Sequence, residues 1–93
     1  MLFEVSTIRV PPVLRPEVGG ARQLEVEAAT VADALGELVE RFPSLRSRVY
    51  DDGAVPPFMN VFVDGEDIRV LEGLDTPVTP DATILLLPAV AGG

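Results

Sequence analysis

Apolar and polar residues trade places along this chain with two different periods, and the switches between them mark its elements. Over residues 2–10 the order is that of a strand, with Ile8 and Val10 on one face and Thr7 and Arg9 on the other, although Leu2 and Phe3 blur the alternation. PPVLRPEVGG follows, and its prolines and Gly-Gly pair predict a long turn that ends the strand. Leu24, Val26 and Ala28 then alternate with Gln23, Glu25 and Glu27. That predicts a second strand with one face in a core and one in water, paired with the first.

The period lengthens after Thr30. Val31, Leu35, Leu38, Val39 and Phe42 recur at the spacing of one helical face, while Asp33, Glu37, Glu40 and Arg41 occupy the other. Thr30 stands where an N-cap is needed, and Asp33 lies in the first turn, where a carboxylate complements the unpaired backbone amides. Pro43 stops the helix. Gly36 within it costs about 1 kcal/mol relative to Ala and reads as tolerance at an exposed position. SLRSRVYDDGAVPP is an irregular or briefly helical connection.

MNVFVDGEDIR reads as two strands about Asp64-Gly65, the pair that supplies the positive φ angles a tight hairpin demands. After LEGLDTPVTPDAT, the run ILLLPAV is apolar throughout, the pattern of a strand covered on both faces, with Pro88 limiting its ladder. The order is strand, strand, helix, strand, strand, strand. It predicts a two-layer α+β fold in which a mixed sheet of about five strands packs on one main helix. A chain of 93 residues buries only about 60–65% of its unfolded surface and supplies one core, so residues 1–90 are assigned to a single domain and 91–93 to a flexible tail.

Composition narrows the chemistry. An apolar share of 47% with 24% charged residues is that of a folded globular chain, not a disordered one. The net charge of -8 disfavours nucleic acid, whose binding draws its affinity from Lys and Arg, and disfavours anionic lipid for the same reason. It favours a basic face on another protein. With neither Cys nor His, the chain has no disulfide, no persulfide and none of the commonest nucleophiles, bases or transition-metal ligands, which argues against an independent enzyme. The start, MLFEVSTIRV, lacks the basic and apolar stretches of a secretion signal, and no segment has the length of a membrane span, so a cytoplasmic protein is expected. All seven basic residues are Arg. Codon bias in a GC-rich genome explains this, and so does the benefit of having no side-chain amine beside an activated acyl group.

The remaining chemistry gathers at Gly92-Gly93. Ala89, Val90 and Ala91 keep the approach slim, and the two glycines extend it without β-carbons, so that Gly93 places an unhindered carboxylate where another enzyme can reach it. Clustered carboxylates at Asp51, Asp52, Asp64, Glu66 and Asp67 match no Ca2+ loop and read as turns and solvated faces, so no metal site is assigned. Arg15, in the proline-rich turn, is a possible partner contact or a merely exposed side chain.

In these motifs the chain resembles the ubiquitin-like sulfur carriers of the β-grasp fold, a superfamily that includes the small subunit of molybdopterin synthase and the thiamine sulfur carriers. PAVAGG carries the resemblance most clearly; NVFVDGEDIR and LDTPVTPDATILLLP look like the family's closing half. VPPVLRPEVGG is similar to the loop of the cysteine-biosynthesis carriers in particular. Pro80-Asp81-Ala82 departs from the Gly-Asp turn common in the family, which leaves the geometry of that turn open.

The resemblance implies that an activating enzyme related to the ubiquitin activators uses ATP and Mg2+ to adenylate Gly93, with Gly92 as spacer, and that sulfur then displaces AMP to leave a thiocarboxylate. It implies a pyridoxal-phosphate-dependent cysteine synthase as acceptor, a metalloprotease that releases the product, and no cofactor on this chain. It also suggests an apolar partner contact at Leu87, with Leu85 on the same face and Phe62 as a third candidate; core packing is the competing reading for each. Ala89, Val90 and Ala91 complete the expected contact set. Two other roles are compatible with the same motifs: the small subunit of molybdopterin synthase, and a ubiquitin-like modifier joined to lysines of other proteins.

Overall fold

A computed structural model describes residues 5–89. Five strands form one sheet: β1 (Val5–Arg9), β2 (Gln23–Glu27), β3 (Met59–Val63), β4 (Glu66–Asp67) and β5 (Thr83–Pro88), with α1 (Val31–Arg41) between β2 and β3. Their spatial order is β2-β1-β5-β3-β4, and β5 runs parallel to β1 but antiparallel to β3, so the last strand in sequence becomes the central one. This is the mixed α+β arrangement of the β-grasp.

The helix forms where its period and its cap coincide. Thr30 Oγ1 accepts a hydrogen bond from the Asp33 N–H at 3.2 Å, and α1 ends at Arg41 with Phe42 as its C-cap. Val31, Ala34, Leu35, Leu38 and Val39 are buried in one cluster with Ile8, Val26, Val61, Ile84 and Leu86 from the sheet. Phe42 is only partly buried, because the chain has already left the helical path at that residue. Gly36 is half-buried and not exposed as expected, yet nothing lies within 4 Å of where its β-carbon would stand, so the position tolerates a side chain.

β2 is an edge strand, and the helix shields it. Arg41 Nη1 donates to the Glu25 carbonyl at 2.8 Å, the Glu27 N–H donates to Glu37 Oε1 at 3.0 Å, and the two side chains pair with each other at 3.2 Å. Backbone groups occupied in this way are withdrawn from edge-to-edge strand addition. At the opposite side of the sheet, the hairpin takes its tight turn through Asp64 (φ 49°) and Gly65 (φ 89°). Asp64 also holds β5: its N–H donates to the Thr83 carbonyl and its Oδ1 accepts from the Thr83 N–H, both at 2.9 Å.

Two sequence expectations change. The proline-rich segment is not a plain turn but a 3-10 helix over Pro12–Val18 that buries Leu14 and Val18 and ends at Gly19 in the left-handed region. Arg15, rather than reaching outward, donates through Nε to the Val10 carbonyl at 3.1 Å. The last strand is not covered on both faces: Ile84 and Leu86 are buried, while Leu85 is half-buried and Leu87 exposed. The turn before it places Asp81 at φ 69° behind Pro80, closed by the Ala82 N–H donating to Thr79 at 3.1 Å. Asp81 therefore takes the position that a type II turn normally gives to glycine.

Ser6 lies on the core face of β1, buried, with no hydrogen-bond partner for its Oγ. Burying a hydroxyl without a partner costs about 1–3 kcal/mol. Ser6→Ala should therefore leave the protein as stable or more stable, read as an unchanged or raised midpoint in urea.

Candidate functional site

The residues singled out by sequence fall into two groups. Val90, Ala91, Gly92 and Gly93 lie outside the described residues. Ala89 is the last one described; it is exposed, and its N–H donates to the Phe58 carbonyl at 2.6 Å. The chain thus reaches Val90 directly from the central strand, which is paired to β1 as far as Leu85 and to β3 as far as Pro88. A central strand held on both sides is a rigid base for whatever follows it.

The second group is brought together. In the register of β3 and β5, Phe62 stands opposite Leu85, and Asn60 opposite Leu87. Their neighbours Met59, Val61, Val63, Ile84 and Leu86 are buried toward the helix, so alternation places Phe62, Leu85 and Leu87 on the other, open face of the sheet. Leu87 is 47% exposed. Phe62 and Leu85 are half-buried. Parity could not be read from ILLLP in the sequence; the pairing with β3 resolves it.

Charged groups border this apolar strip on both sides. Arg9 of β1 pairs in register with Leu85. On the hairpin side, Asp67 pairs in register with Phe62, and Arg69 closes over it in a two-pronged contact, Nη2 to Oδ2 at 2.7 Å and Nε to Oδ1 at 3.1 Å. Arg69 Nη2 also donates to Asn60 Oδ1 at 2.8 Å. The hydrogen bonds from Arg69 hold the Asp67 carboxyl below its ordinary range, and the same contacts raise the guanidinium above its own. Sequence reasoning treated Asp67 as a turn acid and passed over Asn60, Arg69 and Arg9. Asn60 shares parity with Phe62, a signal that was available; the Arg69 contact depends on β4 stopping after two residues, which nothing in the sequence announces.

Among the described residues no three carboxylates gather as a metal site, and no helix is long and apolar enough to cross a membrane. What remains is an apolar strip with a charged border, on the strand that leads to Gly92-Gly93.

Comparison with known proteins gives a consistent picture. A sequence profile of the ThiS family matches residues 8–93. Sulfur carrier protein CysO of Mycobacterium tuberculosis is 31% identical over 90 residues, spanning 94% of this chain and 97% of that protein. Among solved structures, the BexX/CysO complex of Amycolatopsis orientalis contains a chain that superimposes with a TM-score of 0.86 at 34% identity, covering 95% of this chain and 99% of that one. Small archaeal modifier protein 1 of Methanosarcina acetivorans also superimposes with a TM-score of 0.86, at 26% identity, over the whole of both chains.

Proposed function

The chain belongs to the ThiS family and is a sulfur carrier of β-grasp fold, and from that premise we propose that it holds sulfur as a thiocarboxylate on Gly93 and delivers it for cysteine biosynthesis. The observation that carries the reading is the run Pro88-Ala-Val-Ala-Gly-Gly93 following the central strand of the sheet. In a chain without Cys, the carboxyl group of Gly93 is the natural place to bond sulfur.

A carboxylate is a poor electrophile until one of its oxygens becomes a good leaving group. The Gly93 carboxylate attacks the α-phosphorus of ATP on an activating enzyme, which supplies Mg2+, and pyrophosphate leaves. Hydrosulfide then adds to the acyl carbon and AMP departs, leaving the thiocarboxylate. The acceptor is a pyridoxal-phosphate-dependent cysteine synthase, with a metalloprotease releasing the product and restoring the Gly-Gly end. Likeness to the sulfur carrier protein CysO of M. tuberculosis over nearly the full length of both chains supports the carrier reading, and the acceptor is what the resemblance of VPPVLRPEVGG to the cysteine-biosynthesis carriers implies. The open sheet face serves docking, the acidic surface favours a basic partner, and the protein itself is a co-substrate, not a catalyst.

The direct test is intact mass spectrometry of the full chain after incubation with its activating enzyme, ATP, Mg2+ and a sulfur donor. The mass should rise by the difference between one sulfur and one oxygen, and fragmentation should place it on Gly93. Docking is tested separately. Leu87→Glu, at a position 47% exposed, should weaken binding to the activating enzyme by about fivefold or more while the unfolding transition stays in place. Unfolding of that variant would return Leu87 to a packing role.

Likeness to a small archaeal modifier protein favours a second reading, attachment of Gly93 to lysines of other proteins. Higher-mass conjugates in cell extracts that vanish when Gly93 is deleted would select it.

A further inference from the structure

An apolar groove of about 240 Å³ opens beside the end of β5, apart from the strip of Phe62, Leu85 and Leu87. Val13 and Leu14 of the 3-10 segment form one wall, Phe58 and Met59 another, and Pro88 and Arg48 complete it. Leu14 and Met59 are buried, while Val13 and Phe58 stand 62% and 50% exposed. Val13 and Phe58 thus present apolar surface to solvent at the rim of one groove.

Its position sets it apart. Met59 pairs in register with Pro88, and Asn60 with Leu87, so the groove meets β5 from the helix side of the sheet and the strip from the open side. The hydrogen bond from Ala89 to Phe58 ties the groove wall to the residue that leads on to Gly93. The root of the tail is thus flanked by apolar surface on both faces of the sheet.

We propose that this groove receives an apolar side chain flanked by a carboxylate, supplied by the enzyme that adenylates Gly93, and that this contact determines which activating enzyme accepts the carrier. The inference rests on the reading of Gly93 given above. Five residues from Ala89 to Gly93 span at most about 18 Å when fully extended. An enzyme that places the Gly93 carboxylate against a nucleotide must therefore bring its own surface close to Pro88. Adenylation is also the step that most needs the tail root fixed, because a poor nucleophile has to be aligned with phosphorus.

Charge identifies the partner element. Arg48 is the one charged residue lining the groove, and among the described residues it makes no ion pair. In a chain of net charge -8, an arginine that makes no ion pair among the described residues, set beside an apolar groove, complements an acidic residue next to an apolar one.

The test uses the full chain and its activating enzyme in ATP–pyrophosphate exchange. Val13→Glu and Arg48→Glu should each raise KM for the carrier about tenfold, leave kcat unchanged and leave the melting temperature in place. The wild-type KM should rise with ionic strength, and Arg48→Gln should flatten that dependence. If both variants keep the wild-type KM while deletion of Gly93 still abolishes exchange, the groove assignment is wrong and the carrier reading stands. If deletion of Gly93 leaves exchange intact, the carrier reading itself fails. A normal KM combined with impaired delivery to the acceptor would give the groove to the acceptor enzyme and overturn the assignment made here.

Discussion

Deleting Gly93 should lower sulfur uptake by about 100-fold or more without shifting the melting temperature. The shortened chain still ends in a glycine carboxylate, so the loss is one of reach and not of chemical type. One residue of extended chain is about 3.3–3.6 Å, and a carboxylate withdrawn by that distance no longer meets the α-phosphorus of a bound nucleotide. Misplacement of a reacting atom by even about 1 Å is worth two orders of magnitude in rate. Gly92→Val should have a similar effect by another route, since a β-branched side chain widens a tail that has to enter a confined site and removes backbone freedom. Stability should be unaffected, because the buried side chains described lie between Ser6 and Leu86. Rates of adenylation and sulfur incorporation, measured by pyrophosphate exchange and intact mass, check the first claim; a thermal melt checks the second. Ordinary sulfur uptake by both variants would sink the assignment of Gly93.

How much of this was legible beforehand depends on whether a local signal existed. The hairpin was, because Asp64-Gly65 supplies both positive φ angles within two adjacent residues. So was the helix, where the Thr30 cap and the spacing of Val31, Leu35 and Leu38 agree. The 3-10 segment at Pro12–Val18 was hidden by its prolines, which read as breakers, although Leu14 and Val18 at a spacing of four hinted at a buried face. The borders of the candidate site were illegible for a different reason. Phe58 approaches Ala89 only through the pairing of β3 with β5, and no short window of sequence contains both; Asn60 and Arg69 share one hairpin run, but they meet only because β4 ends at Asp67 and the chain turns into a 3-10 segment over Ile68–Val70. The Phe62, Leu85 and Leu87 strip lay between these cases: its residues were named, but its coherence as one face required the register of β3 against β5.

That register leads to the other large expected effect, a contrast between two adjacent leucines. Leu86 is fully buried and Leu87 is 47% exposed, though the sequence offers the same residue in the same run. Truncating a buried leucine removes its transfer free energy and leaves a cavity, together worth about 2–5 kcal/mol. Leu86→Ala should fall in that range, as should Leu38→Ala on the facing helix, which is equally buried. Leu87→Ala should cost less than about 1 kcal/mol, since much of its surface meets water in the folded state already. Small domains are stable by only about 5–15 kcal/mol, so the first two variants should lose a large share of the total and the third very little. Urea denaturation reads the difference as a fall in midpoint at constant slope. Equal losses at Leu86 and Leu87 would mean that both faces of β5 are covered, which would remove the open sheet face from the docking argument and leave the groove beside Pro88 as the apolar surface next to the tail.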